Sequence, residues 1–155
     1  MDEVQLANYY AGLDPGPVAA GVVSDWRVAR VLGCTQGAKI QLSDWTLTKT
    51  KFRHDDLDFA DYLKLSEILR EAFVIRGRTR ETAEMIYVEP REFRPPCWRV
   101  VVKHTVRSEA FITNFQRYHF SEARRIYRRA LKDGQLVLDA KSTLAQRLLR
   151  HASIS

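Results

Sequence analysis

Hydrophobic residues recur along this chain with two different periods, and the change between them divides it into three stretches. Residues 26–33 form a short element ending before Gly33, and Ile40-Gln41-Leu42 reads as a brief strand. Ser43 can then cap a helix running from Asp44 to about Phe52 or Arg53. A second helix is predicted over residues 59–70, because Phe59, Tyr62, Leu63, Leu65, Ile68 and Leu69 mark one apolar face at helical spacing.

After Ala72 the pattern shortens into β-rich runs: Phe73 to Ile75, Met85 to Val88, Trp98 to Thr105 and Phe111 to Phe115. Pro95-Pro96 cannot sit in a central strand and marks a connection. Val106 to Glu109 is short enough for a hairpin loop. The helical period then returns. Ser121 can cap a helix that buries Ala123, Ile126, Tyr127, Ala130 and Leu131 and stops at Gly134. A last amphipathic helix is predicted from about Thr143 to His151.

Helices, then antiparallel strands, then helices predict an α+β domain: N-terminal helices packed on a small antiparallel sheet of about four strands, with C-terminal helices. Trp98, Val100, Val102, Phe111 and Phe115 are expected to be buried with Leu63, Ile68, Leu69, Ile126 and Leu131.

Residues 1–25 stand apart from the predicted domain of residues 26–155. They hold Asp2, Glu3, Asp14 and Asp25 but no Lys or Arg, and Gly12 to Pro17 break any helix. They read as an acidic arm, either a loose end or a segment that docks through Leu6, Tyr9 and Tyr10.

Composition narrows the class. A chain of 155 residues with 45% hydrophobic and 28% charged residues can build one core without disulfides or metals. No apolar run approaches the roughly 20 residues that span a bilayer, so a soluble cytoplasmic protein with no membrane partner is expected. Cys34 and Cys97 lie far apart and the four histidines share no ligand spacing, so neither a metal nor another cofactor is expected.

Charge adds a partner. The net charge is +6, and Arg outnumbers Lys by 18 to 7. The planar guanidinium fork matches phosphate oxygens better than an ammonium does, so the bias favours RNA or another acidic polymer. Arg124, Arg125, Arg128 and Arg129 make the strongest basic patch, placed opposite the buried stripe of the predicted helix.

Two segments carry a resemblance. RHDDLDFADYLKLSEILREAFVIRG resembles the part of phage-associated Barnase–EndoU–Colicin–RelE-type nuclease domains in which a histidine precedes a helix and the first sheet strand. CWRVVVKHTVRSEAFITNFQRY resembles the hairpin that follows, with a lysine ending one strand and Thr, Phe and Arg on the next. The likeness extends over residues 40–131, and this sequence has His54-Asp55 where the family has His-Pro.

The resemblance implies metal-independent RNA cleavage and a phage or prophage setting, in the bacterial host or on the virion. Such chemistry needs a group to deprotonate the 2′-OH, a proton for the leaving oxygen and cations around the phosphorane. His54, Lys103, Thr113 and Arg117 are the catalytic candidates. His104, Tyr118, Arg124, Arg125, Arg128 and Arg129 are the candidates for binding substrate. A two-residue hairpin loop would put His104 on the face of Thr113, and a three-residue loop would put Lys103 there. The alternative is a structural or adaptor component of a phage particle, touching head or portal proteins through the acidic arm and the basic helix.

Overall fold

The computed structural model describes residues 1–53, 56–106 and 109–151. In chain order these form α1 (Glu3–Tyr10), β1 (Val18–Val22), α2 (Trp26–Leu32), β2 (Lys39–Leu42), α3 (Asp44–Arg53), α4 (Phe59–Leu63) and α5 (Leu65–Glu71). There follow β3 (Phe73–Arg76), β4 (Thr82–Val88), β5 (Cys97–Val106), β6 (Glu109–Tyr118), α6 (Phe120–Asp133), β7 (Leu136–Leu138) and α7 (Thr143–Arg150). No helix among the described residues is long and apolar enough to cross a membrane.

The strands form one sheet in the order β1-β2-β6-β5-β4-β3-β7. Neighbours are antiparallel except β2 and β6, which run parallel. The class is α+β, but the expectation of a small antiparallel sheet of about four strands is corrected. The four predicted strands are the central β3 to β6, and β1, β2 and β7 extend them to a seven-stranded mixed sheet. Val18-Ala19-Ala20-Gly21-Val22 lacks the bulky residues that announce a strand, and β7 has three residues. The β2–β6 pairing is non-local, so no turn in the sequence signals it.

Helices cover both faces. One core gathers Leu6 and Tyr9 of α1, Leu32 of α2, Tyr62 of α4 and Leu65 and Ile68 of α5 over Val100, Val102, Ile112 and Phe115 of the sheet. A second, smaller core packs Ala123, Tyr127 and Ala130 of α6 and Leu149 of α7 against Phe73, Ile75, Ile86 and Val88. The buried stripe of α6 is narrower than expected: Ile126 is half-buried and Leu131 is 48% exposed. Phe111 is likewise only half-buried, lying beyond the part of the second face that α6 and α7 cover.

Residues 1–25 are built into this core rather than standing apart from it. Asp2 caps α1 by accepting from the Val4 and Gln5 amides at 3.0 and 3.1 Å, and Tyr9 donates to the Ser43 carbonyl at 2.5 Å. Gly16, at φ +81°, lets the chain turn into β1 where a Cβ would meet the Leu42 carbonyl at 3.0 Å.

The predicted helix over residues 59–70 is two helices, broken at Lys64, which leaves Leu63 37% exposed instead of buried. The first of them is fixed by Asp61, whose side chain is 4% exposed. Its carboxylate accepts from the Asp58 amide at 2.8 Å, closing a reciprocal cap. It also accepts from Trp98 Nε1 at 2.9 Å and from Arg117 Nε and Nη2 at 3.0 and 2.9 Å. One buried anion thus ties α4 to β5 and β6.

Burial alone would raise the carboxyl's pKa, but the bonds from Arg117, the Asp58 amide and Trp98 outweigh it and hold the group below the usual carboxylate range. Folding therefore favours the deprotonated form. The stabilisation is in full force above the unfolded value of about 3.9 and is lost as pH falls through the folded value. Asp61→Ala is expected to cost about 2–4 kcal/mol in urea unfolding at pH 7, short of the full penalty for a buried pair because Arg117 reaches solvent. The deficit relative to the unmutated chain should shrink below pH 4; a pH-independent deficit would show that the ion pair is not its source.

Candidate nucleic-acid interface

A cleft of roughly 560 Å³ opens between the exposed flank of α6 and the strands. The floor comes from charged residues that interrupt apolar strands. Glu84 of β4 and Arg99 of β5 are joined by Arg99 Nε to Glu84 Oε1 at 2.6 Å. Tyr118, at the end of β6, forms part of one wall, and burial raises its phenol pKa although Arg99 opposes that. Arg125 and Arg129, one turn apart on α6, form the other wall, and Arg76 and Arg78 follow from β3.

Five arginines therefore line the cleft against three carboxylates, Glu84, Glu122 and Asp133. Glu84 is engaged by Arg99 and Glu122 by Arg125 at 2.7 Å. Among the described residues, Arg76, Arg78 and Arg129 have no carboxylate within ion-pair distance. Guanidinium groups crowded without counter-ions favour an anionic ligand. Among the described residues no group of three or more His, Cys, Asp and Glu could hold a metal ion.

The structure separates the four arginines expected on one helix face into two rows. Arg125 and Arg129 line the cleft; Arg124 faces a second cavity, and Arg128 donates to the Arg150 carbonyl at 3.0 Å. Positions four apart share a face, whereas adjacent ones are about 100° round the helix.

The four catalytic candidates do not form a group among the described residues. His54 lies outside those residues. Lys103 is exposed on β5, paired with Thr82 and Phe111, and the alternation that turns Arg99 to the cleft turns Lys103 to the same face. It sits four residues further on, at roughly 13 Å along the strand. Thr113 occupies a bulge and donates to the Val101 carbonyl at 3.3 Å. Arg117 points to the opposite face, into the bond with Asp61.

The hairpin keeps the register of the two-residue loop at Val106–Glu109 and again from Val101–Asn114 to Cys97–Tyr118, and departs from it by one residue only between two bulges. Val106 pairs with Glu109, leaving Arg107 and Ser108 outside the described residues, and a bulge at Thr105 brings Lys103 opposite Phe111. His104 then pairs with Ala110, and its Nε2 is buried without a hydrogen-bond partner among the described residues.

Arg76, Arg78, Arg99 and Glu84 were missed from sequence. Glu84 and Arg99, like Lys103, are charges set within otherwise apolar strands. Compared with protein-family profiles, curated proteins and solved structures, the chain finds no match.

The Glu84–Arg99 pair gives the cleft a test that needs no ligand. Glu84 is buried, so Glu84→Gln should cost about 1–3 kcal/mol of stability, the usual loss for a hydrogen bond to a charged group. The measurement is urea unfolding at neutral pH. A loss indistinguishable from zero would mean that Arg99 finds an equal partner elsewhere and that the pair does not hold the floor.

Proposed function

We propose that this chain binds RNA through phosphate contacts in the cleft between α6 and the sheet. The observation that carries the reading is the set of three arginines, Arg76, Arg78 and Arg129, that face one cleft without carboxylate partners among the described residues. The Arg-rich composition supports it, since guanidinium groups can hold phosphate oxygens in pairs. The resemblance to nuclease domains is a second, weaker support.

Catalysis is a separate reading, favoured by one observation: Lys103 shares the cleft's face of the sheet. It would be metal-independent cleavage by the 2′-OH, with Lys103 supplying charge to the phosphorane. Arg117 takes no part in this version, because its guanidinium serves Asp61.

Binding and cleavage are tested together. Fluorescence anisotropy with a labelled RNA strand should show affinity falling steeply as salt rises from about 50 to 200 mM, with a log–log slope of about −0.7 for each phosphate contact. Replacing both Arg125 and Arg129 by Ala should weaken binding to all sequences alike and make the slope shallower by about 1.4. A slope near zero, or an unchanged double variant, would reject the cleft as the site. The same protein incubated with RNA in EDTA decides the second reading: 2′,3′-cyclic phosphate ends that disappear in Lys103→Ala would establish the enzyme, and intact RNA would leave binding alone.

A further inference from the structure

A second cavity, roughly 510 Å³, adjoins the arginine cleft, and Tyr118 lines both. Its character is different. Phe93, Tyr118 and Phe120 bring three aromatic rings to it, with Arg94, His119 and Arg124 as the basic residues. Its size falls within the range of small-ligand pockets.

Phe93 is the unusual member. It is 75% exposed and takes no part in either core. An exposed Phe is unremarkable alone, but this one sits in a constrained loop between β4 and β5. The Glu89 amide donates to the Pro96 carbonyl at 3.0 Å and closes the loop's base, while Arg91 Nη2 donates to the Arg94 carbonyl at 3.0 Å. Arg94 has φ +46°, a conformation that non-glycine residues rarely adopt and that costs energy. Its guanidinium lies 5.1 Å from the centroid of the Phe93 ring. The loop's hydrogen bonds and strain hold an aromatic ring in solvent at the mouth of an aromatic cavity.

We infer that this cavity takes an unstacked base of a single-stranded RNA whose phosphates lie in the neighbouring arginine cleft. The inference rests on the RNA-binding reading and names the form of RNA. Every base has a π-face, so aromatic rings alternating with arginines suit a single strand of any sequence. In a duplex the bases are stacked inside and cannot reach Phe93. Glu92, the one carboxylate of the lining, offers acceptors to a base's amino or ring N–H donors. Tyr118 makes the two cavities one path, and a strand crossing it would place a base on one side and its phosphates on the other.

The test compares three labelled ligands of matched length: a base-bearing single strand, the same backbone with abasic positions, and a duplex. The unmutated protein should bind the base-bearing strand about five- to a hundred-fold more tightly than the abasic one, the range for stacking a single base on an aromatic side chain. Phe93→Ala should abolish most of that preference without changing affinity for the abasic strand, and Phe93→Trp should restore it. Because Phe93 is outside both cores, neither variant endangers the fold.

Equal, salt-sensitive binding of all three ligands would overturn the base pocket and leave the phosphate cleft standing. So would a preference that Phe93→Ala leaves intact. Absence of RNA binding even at low salt would overturn both, and capture of polyglutamate in its place would identify an acidic protein surface as the occupant.

Discussion

The carboxylate of Asp61 decides which side of the sheet does what. An anion so deeply buried persists only because four hydrogen bonds, one from the backbone and three from Trp98 and Arg117, replace its water. Those bonds draw α4 onto β5 and β6 and commit Arg117 to the helical face. With Arg117 taken, the charges of β4 and of β5, Glu84, Arg99 and Lys103, belong to the opposite face, where helices cover only part of the sheet. The cleft is what that incomplete cover leaves open.

A second constraint is the edge of β6. Its parallel partner β2 ends at Leu42, before β6 does, and α3 takes over. Thr46 donates to the Ile112 carbonyl at 2.5 Å and Lys49 to the Thr113 carbonyl at 3.1 Å, so side chains satisfy acceptors that a strand would have bonded. Thr113 bulges at that point, and the bulge lets both Ile112 and Phe115 enter the same core despite their odd spacing. Basic residues at this end of α3 therefore have a structural use.

Local signals in the sequence carried well. Ser43 before α3, Gly134 after α6 and the β-branched runs of β4 and β5 each sit where the backbone needs them. Gly134 adopts φ +68°, the left-handed cap that ends α6. What was illegible depended on distant partners. The pairing of β2 with β6 and the docking of β1 at the far edge join segments far apart in the chain. The site followed the same division. Arg125 and Arg129 were found because a basic helix is a local pattern, and Tyr118 because it closes the hairpin segment that carries the resemblance. Arg76 ends β3, Arg78 lies in the turn that follows it and Arg99 is on β5, so their meeting is a property of the sheet order.

The distribution of ionisable groups bears on binding as against catalysis. Hydrogen bonds from Arg27 draw Asp25 down to about 2, and burial pushes the Cys97 thiol up to about 12. Together with Asp61, these groups are locked further into the protonation state they already favour near neutral pH. A general acid or base requires the opposite, a pKa brought towards the working pH by its surroundings. Guanidinium groups, charged at every relevant pH, are poor proton carriers and good phosphate partners. A cleft whose cations are all arginines is therefore suited to holding a phosphate backbone, and two of the carboxylates in its lining, Glu84 and Glu122, are already engaged by Arg99 and Arg125.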